Sequence, residues 1–365
     1  MLILTNNIIL LVFLIYTFLV FISALGVKLN SCGVDNFLCL ITVLTYVILI
    51  FARTGLGVDE STYLESYHYY IQGGESDFEY GFDILFWGLK LLGVTESSFN
   101  TIFPLLILTA LCFAVTISVK NPFRSFVLIF TIFSSFFLDF TFNAYRQGLS
   151  FWFVLLAIES YLSGYRRKFI VYCLIGLGFH WSAAVVLFML FLTRFLSTRL
   201  AVFCNIFLFF LTLVAAIMPL HLLSILVTLI QHLPLNSSYL QKVIFYLTTI
   251  KSSFYDLNFF GRAPLIIYAL ILMSLLAIYR KQLPTVQFKL LILLLGYSVL
   301  LLEMSYSFRN YYWVLPFTPF IMAKILSCNV NKKKLMVIYT VFATSLWFLS
   351  IASFYSFPIL SMIFQ

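Results

Sequence analysis

Charged residues are scarce in this 365-residue sequence. Only 10% of its residues are charged, whereas 63% are hydrophobic and the mean hydropathy is +1.06. A soluble globular domain carries roughly 25% charged residues, so the low charge excludes that class. It leaves a polytopic membrane protein, in which each span needs about 20 apolar residues to cross a hydrocarbon core of ~30 Å.

Motifs for nucleotide, hydrolase and metal chemistry are also missing. The sequence has no Walker A loop, no GxSxG elbow and no GxGxxG before a helix. Its six cysteines show neither CxxC nor metal-ligand spacing, and no second histidine follows His180 at a zinc-binding interval. The net charge of +9 sits in short loops, where positive residues set membrane orientation. We therefore expect no metal, no cofactor and no nucleic-acid partner, and any transfer reaction must use a donor already in the membrane.

Long continuous apolar runs predict an all-α fold, because lipid offers no partner for free backbone groups and the runs do not alternate. We expect about 10–12 transmembrane helices in a single integral-membrane domain, residues 1–365, with no separate soluble domain. Residues 169–193 are interrupted by Gly178 and His180, which predicts a broken or re-entrant helix there. The clearest candidate spans are residues 6–26, 35–52, 100–119, 125–140, 147–163, 200–218, 263–279, 288–303, 311–327 and 335–355.

Short basic loops alternate along the chain with loops that hold the acids, and this alternation predicts the orientation. By the positive-inside rule the basic loops face the cytoplasm. The two long loops, 53–99 and 219–262, are then extracytoplasmic.

The stretch 53–83 is unusual within so apolar a chain. It holds seven of the thirteen acidic residues: Asp59, Glu60, Glu65, Glu75, Asp77, Glu79 and Asp83. Two interpretations are open. The stretch either concentrates the chemistry of the protein or is a solvated loop between apolar helices.

A buried carboxylate near an acceptor hydroxyl serves as a general base. Asp59, Glu65 and Glu79 are candidates, and Asp59, six residues after Arg53 and close to the membrane, is the best placed. The acids and tyrosines of the stretch suit an acceptor sugar, and we take as its contacts Glu79, Tyr63 and Tyr67.

Four arginines lie outside the basic loops, each near the outer end of a predicted span: Arg53, Arg146, Arg262 and Arg309. Guanidinium groups are costly to desolvate at a membrane face and need acidic partners or an anionic ligand. Their planar fork fits phosphate bidentately. The alternative is a set of structural ion pairs with Asp59, Glu79, Asp139 and Glu303.

The segment AYRQGLS, residues 144–150, opens a predicted span at its outer end. Arg146 and Gln147 there gain the positive end of the helix dipole, which makes an anion site. The alternative role is an interfacial anchor, since arginine and tyrosine are common at interfaces.

The segment GFHWSA, residues 178–183, places His180 inside an apolar run. An intramembrane histidine indicates function, as a general base or as a donor to a diphosphate. The alternative is a histidine bonded to a neighbouring backbone carbonyl.

The segment FRNYYW, residues 308–313, places Arg309 at the outer end of a span beside Tyr311 and Tyr312. The two tyrosines belong either to the aromatic belt of the membrane interface or to a sugar-binding site.

Together these segments resemble the O-antigen and exopolysaccharide polymerases, and most closely the EpsG-like Wzy proteins. The resemblance covers about residues 45–325, and its most specific part is RQ at a span's start followed some thirty residues later by FHxSA. The motifs that carry it are the order Arg53, Asp59, Tyr63 and Tyr67, then FEYGF (78–82), AYRQGLS (144–150), GFHWSA (178–183) and FRNYYW (308–313).

The resemblance implies an O-antigen polymerase of lipopolysaccharide biosynthesis in the bacterial inner membrane. Such a glycosyltransferase moves a growing glycan from undecaprenyl diphosphate onto a lipid-linked repeat unit, with its active site facing the periplasm and without a metal. A single displacement at the anomeric carbon would invert configuration. The implied partners are the undecaprenyl-diphosphate-linked oligosaccharide, membrane lipid and a chain-length regulator. The residues at family motif positions are Arg146, Gln147, His180, Arg309, Arg53 and Asp59.

Three other functions remain open. A flippase for lipid-linked oligosaccharides would need charges at the bilayer midplane and repeated halves, neither of which the sequence shows. An O-antigen ligase would use the same donor with a lipid A core as acceptor. A membrane acyltransferase would use a histidine in a re-entrant segment, as at His180.

Overall fold

The computed structural model describes residues 2–220, 225, 228, 259–304, 307–329 and 331–356. These residues form helices and contain no β-strand within the described ranges, so the predicted all-α class is confirmed. The first eleven helices are α1 Leu2–Leu29, α2 Cys32–Ala52, α3 Glu60–Ile71, α4 Tyr80–Leu91, α5 Glu96–Ser118, α6 Arg124–Ile132, α7 Ser135–Phe142, α8 Tyr145–Leu162, α9 Arg166–Phe179, α10 Ala183–Leu192 and α11 Thr198–Ile217. The later ones are α12 Phe259–Ile278, α13 Thr285–Leu300, α14 Phe308–Tyr311, α15 Thr318–Ser327 and α16 Lys332–Ser356, with 3₁₀ turns at Arg280–Gln282 and Leu315–Phe317.

The helices form two compact units. The first comprises residues 1–187 and 319–365, and the second comprises residues 188–318. In the second unit α11 packs against α12 and α13, and the Asn205 side chain donates a hydrogen bond to the carbonyl of Met273 at 3.0 Å.

The described part of the chain contains six helices long and apolar enough to cross a membrane, which confirms a polytopic membrane protein. These are α1, α2, α5, α11, α12 and α16, and the bent pair α6–α7 makes a seventh if it is one span. The ten to twelve spans predicted are more than this. The count covers the described residues alone, and among these two predicted runs do not form a helix of spanning length. Residues 288–303 lie mostly in the 16-residue α13, and residues 311–327 are divided among the end of α14, a 3₁₀ turn and α15.

Two interruptions break the apolar runs of the first unit. The predicted one is confirmed, because α9 ends at Phe179 and α10 begins at Ala183. The other was not predicted: the run 125–140 bends by 68° between α6 and α7. There the Ser134 hydroxyl donates to the carbonyl of Thr131 at 2.5 Å and accepts from a backbone N–H of α7, so backbone groups at the bend find partners within the protein.

The predicted outer loop 53–99 contains two helices, α3 and α4, that pack against the start of α5. Their contacts are aromatic: Tyr67 stacks on Phe99 at 4.7 Å between ring centroids, and Phe82 stacks on Phe103 at 5.6 Å. Each such pair contributes about 0.5–1.5 kcal/mol beyond burial of its area. The other predicted outer loop, 219–262, lies almost wholly outside the described residues, and α12 begins at Phe259.

Helix α8 runs through the first unit and packs against α5, α7 and α9. Its side chains are largely buried, including Trp152, whose ring lies against Phe137 and Phe140. Because these contacts hold α8 in place, they also fix the direction of its first turn, where Tyr145, Arg146 and Gln147 lie.

Candidate active site

Three segments of the first unit meet at the carboxylate of Glu79, the residue just before α4. Arg146, in the first turn of α8, donates from Nη1 to Glu79 Oε2 at 2.9 Å. His180, just after α9, places Nδ1 at 3.2 Å from Glu79 Oε1, and the backbone N–H of Trp181 donates to the same oxygen at 3.2 Å. We call Glu79, Arg146 and His180 the carboxylate cluster.

The protonation of Glu79 fixes which nitrogen of His180 carries a proton. Burial by itself raises the pKa of Glu79, but the bond to His180 and the charge of Arg146 together lower that pKa to about 2. An ionised carboxylate accepts hydrogen bonds and donates none. His180 Nδ1 must therefore be the donor, so in the neutral ring Nε2 is the basic nitrogen.

The guanidinium of Arg146 is held from several sides. Besides Glu79, it donates to the hydroxyl of Tyr63 and lies over the ring of Phe78 at 4.8 Å from the ring centroid. Its Nε–H is buried and has no hydrogen-bond partner in the described part of the chain. At the N-terminal turn of an 18-residue helix, this arginine adds its charge to the positive end of the dipole. The arrangement is suited to binding an anion.

A close approach of two glycines brings the cluster together. A Cβ on Gly81, in the first turn of α4, would lie 2.5 Å from the carbonyl oxygen of Gly178 near the end of α9. Only residues without a side chain allow α4 and α9 to approach this closely. Glu79 lies two residues before one glycine and His180 two residues after the other, so the approach sets their separation.

A second arginine–glutamate pair lies where α2 ends and α3 begins. Arg53 Nη1 donates to Glu60 Oε1 at 2.7 Å, and the backbone N–H of Gly57 donates to Glu60 Oε2 at 2.6 Å. The Tyr145 hydroxyl also donates to Glu60, and Arg53 donates to the carbonyl of Asn100. Burial raises the pKa of Glu60 above its ordinary value, although Arg53 and Tyr145 act in the opposite direction. This pair is a closed structural site.

Comparison with known protein families now identifies the chain. The family model described as the EpsG family matches residues 36–362, which is most of the sequence. The chain belongs to the EpsG family. No curated protein and no solved structure matches it. Membership confirms the resemblance deduced from the motifs and makes the protein a polysaccharide-polymerase-like membrane protein.

Several of the site residues predicted from the sequence of this EpsG-family protein border the carboxylate cluster. Tyr63 contacts Arg146 directly. The backbone N–H of Asp59 donates to Asn143 Oδ1 at 2.7 Å, and the charge of Asp59 acts on Tyr63. Gln147 is buried beside Arg146 in α8.

Other predicted residues lie elsewhere. Tyr67 lies one turn after Tyr63 on α3, where its hydroxyl donates to the carbonyl of Val94 at 2.9 Å. Arg262, Arg309, Tyr311 and Tyr312 belong to the second unit. The two tyrosines are nearly fully buried, which is not the exposed position of an interfacial belt. Their segment is tied to α13, because the Ser298 hydroxyl donates to the carbonyl of Asn310 at 3.1 Å.

Sequence reasoning found only some of the partners that complete these sites. Its alternative set of ion-pair partners included Glu79, which binds Arg146, but had Asp59 in place of Glu60, which binds Arg53. It also did not single out Tyr145, Phe78 or the backbone of Trp181, although each is adjacent in sequence to a predicted residue. The pair Gly81 and Gly178 had a signal, since each glycine lies within a motif that also holds a cluster residue. The described residues contain no group of three or more His, Cys, Asp or Glu side chains placed to hold a metal.

Proposed function

We propose that this EpsG-family protein is a surface-polysaccharide polymerase of the O-antigen type. It transfers a growing glycan from undecaprenyl diphosphate to a lipid-linked repeat unit at the periplasmic face of the bacterial inner membrane. The observation that carries the proposal is the carboxylate cluster, in which one ionised glutamate orients a cation and a base.

Arg146 is suited to the leaving group. When the anomeric carbon–oxygen bond breaks, negative charge develops on the undecaprenyl diphosphate. A preorganised guanidinium with a buried unpaired N–H, at a helix N-terminus, stabilises that charge more than it stabilises the uncleaved donor. Glu79 and Phe78 hold the guanidinium in place, so little reorganisation accompanies the reaction.

His180 is suited to the attacking hydroxyl. The hydroxyl oxygen of the acceptor sugar forms the new bond to the anomeric carbon, and its proton passes to His180 Nε2. The bonding electrons of the old carbon–oxygen bond leave with the diphosphate. Glu79 then stabilises the imidazolium through the Nδ1–H bond, as a carboxylate behind a histidine base does. A single displacement of this kind inverts the anomeric configuration.

Predicted residues beyond the carboxylate cluster are also assigned to substrate contacts. Asp59 and Tyr63 border the cluster and are assigned to the acceptor sugar. Arg53 is committed to Glu60 in this structure, so we assign it a supporting role. Arg309, from its motif position, and Arg262, from its place near the end of a predicted span, stay sequence-based predictions of substrate-binding residues in the second unit.

The experiment that tests the function is removal of this protein from its host. A polymerase predicts that single repeat units still reach the lipid A core while long chains disappear. Loss of all surface glycan would instead support a flippase or a ligase. Gel analysis of the extracted glycan distinguishes these outcomes.

Complementation then tests the site. Arg146→Ala is expected to insert into the membrane at wild-type level and to lower polymer formation by about 10²–10³-fold, as removal of one oxyanion donor does. Arg167→Ala is the matched control, because it removes an exposed arginine from the start of α9, and it should give wild-type chains. Long chains of wild-type amount in Arg146→Ala would remove Arg146 from the mechanism.

A further inference from the structure

A concavity lies at the C-terminal ends of α3 and α4. Its volume is about 340 Å³, within the ~300–1,000 Å³ typical of sites for small molecules. Its lining comes from the last residue of α3, the end of α4 and the connection into α5, and comprises Ile71, Lys90, Gly93, Val94, Thr95 and Glu96. We call it the rim pocket.

The contacts between α3 and α4 show that the two helices run in parallel away from the carboxylate cluster. Near the cluster, Tyr63 stacks on Phe82 at 5.9 Å, and one turn further Tyr67 packs on Phe86 at 5.2 Å. At the far end, Lys90 Nζ donates to the carbonyl of Ile71 at 3.0 Å. With a rise of 1.5 Å per residue, the eight residues from Tyr63 to Ile71 place the rim pocket about 12 Å beyond the cluster.

Helix α5 gives the direction of that displacement relative to the membrane. Glu96 is the first residue of this membrane-spanning helix, whereas Phe103, seven residues later, stacks on Tyr145 at 5.0 Å beside Arg146. Seven residues of helix correspond to about 10 Å. The rim pocket therefore lies at the membrane-surface end of α5, and the cluster lies about two turns deeper.

The polar groups of the rim pocket are of mixed character. Lys90 supplies an ammonium group, of whose three N–H donors the bond to Ile71 uses one. Glu96 supplies carboxylate oxygens, one of which pairs with His68 Nδ1. The ring of Tyr70 lies 5.8 Å from Lys90 Nζ. A phosphate would be repelled by Glu96, whereas a sugar presents hydroxyls that both donate to a carboxylate and accept from an ammonium.

We propose that the rim pocket is a carbohydrate subsite that holds the growing glycan a few sugar residues from the reacting bond. The inference rests on the proposed function, because a chain attached to a diphosphate at the cluster must leave towards the aqueous side. A subsite on that path keeps the chain engaged between successive transfers. Its loss favours short products over long ones.

A binding experiment tests the subsite independently of catalysis. The probe is the lipid-free oligosaccharide released from the host's own polymer, titrated against the purified full-length protein. Lys90→Met removes the donors and keeps the aliphatic stem, and Ile71→Trp fills the space. Each is expected to weaken binding by about tenfold or more: Lys90→Met by the loss of one hydrogen bond to a charged group, and Ile71→Trp because its ring takes the place of the sugar. Lys90→Arg and the exposed-site control Lys168→Met are expected to bind like the wild type.

The chain-length distribution gives the second readout. In vesicles supplied with lipid-linked repeat units, Lys90→Met and Ile71→Trp are expected to lower the ratio of long polymer to first-transfer product by about tenfold. Arg146→Ala should stop transfer yet still bind the oligosaccharide, which separates the two sites. Binding by a wild-type protein that forms no glycosidic bond would uphold the subsite and overturn the polymerase function. Wild-type affinity in both Lys90→Met and Ile71→Trp would overturn the subsite.

Discussion

The first unit contains two arginine–glutamate pairs that are alike in chemistry and differ in surroundings. Arg53–Glu60 and Arg146–Glu79 join nitrogen to oxygen at 2.7 and 2.9 Å. The side chains of the first pair are 7% and 0% exposed, whereas those of the second are 31% and 6% exposed. The first carboxylate is shared with a backbone N–H and a tyrosine, and the second is shared with a histidine.

The difference separates a structural pair from the pair that we propose to be reactive. A buried pair whose partners all come from the fold holds segments together and offers nothing to a substrate. A pair that keeps its cation partly exposed, with a buried N–H unpaired in the described structure and a base on the same carboxylate, is arranged for a ligand. The surroundings also shift the two pKa values in opposite directions. Burial raises the pKa of Glu60, whereas the bond to His180 and the charge of Arg146 outweigh burial and lower the pKa of Glu79.

The largest expected effect comes from breaking the closed pair. Arg53→Met leaves the carboxylate of Glu60 buried without its counter-ion, and removing one partner of a buried pair costs about 3–5 kcal/mol. The free energy of unfolding in detergent should fall by that amount. Arg146→Met is the control and should lose much less, because its guanidinium is partly exposed and Glu79 keeps His180.

The double variant Arg53→Met/Glu60→Gln should recover a large part of that loss, since no charge is then left buried. Equal losses in Arg53→Met and Arg146→Met would show that the difference in burial between the two pairs has no energetic consequence.

Acid pH should distinguish the two glutamates by the sign of their effects. The folded-state pKa of Glu79, about 2, lies below its ordinary value of about 4.5, so its stabilisation is complete above pH ~4.5 and is lost as pH falls towards 2. The loss amounts to at most about 3 kcal/mol, at 1.36 kcal/mol per pKa unit. Glu79→Gln should therefore flatten the unfolding free energy between about pH 4.5 and 2.

Glu60 should act in the opposite sense. Its folded-state pKa is raised, so its contribution is greatest below pH ~4.5 and is lost as pH rises through the folded-state value. Glu60→Gln should remove this loss of stability at rising pH, and it should leave unchanged the loss below pH ~4.5 that comes from Glu79. If the unfolding free energies of Glu79→Gln and the wild type fall equally steeply below pH ~4.5, Glu79 is not ionised in the folded protein. His180 Nδ1 then need not be the donor.

Separating α4 from α9 should disturb the reactive pair alone. Gly81→Ala places a methyl group against the carbonyl of Gly178, and overpacking of this kind costs about 1–3 kcal/mol. Polymer formation should fall with it, because Glu79 and His180 move apart. Gly88→Ala, on the same helix, is the matched control: its Cβ would meet nothing within 4 Å, so stability should be unchanged or higher by about 0.5–1 kcal/mol. Equal polymer in the two variants would show that the close approach does not set the site.

The fold was largely predictable because span formation is a local property of the sequence. The runs 35–52 and 200–218 became α2 and α11 with ends within about three residues, since continuous apolar length alone selects such helices. The bend between α6 and α7 was not predicted, because the apolar run is continuous there, although the bond from Ser134 to the carbonyl of Thr131 at the bend is local in sequence. The same limit applies to residues 311–327, a single predicted span that the structure divides among the end of α14, a 3₁₀ turn and α15.

The candidate site is built from residue types that the sequence indicates, but of its pairings only that of Arg146 with Glu79 was among the alternatives. Isolated arginines at span ends and a histidine inside an apolar run are enough, as sequence features, to indicate an anionic substrate. The choice between Asp59 and Glu60 as the partner of Arg53 was not readable, because adjacent residues entering a helix point about 100° apart. Which of them faces Arg53 depends on how α3 is set against α5, a tertiary property.

The smallest expected effect is that of Asp59→Asn, which tests the choice between two candidate bases. Asp59 and His180 are both candidates, and the contact of His180 Nδ1 with Glu79 favours the histidine. Asp59→Asn should lower the transfer rate by no more than about tenfold, the cost of weakening one contact to the acceptor. His180→Asn keeps a donor facing Glu79 but has no basic nitrogen, so transfer should fall by about 10²–10⁴-fold. The rate of undecaprenyl diphosphate release in vesicles measures both. If Asp59→Asn proves the more damaging substitution, Asp59 takes the proton, and the carboxylate cluster binds the donor alone.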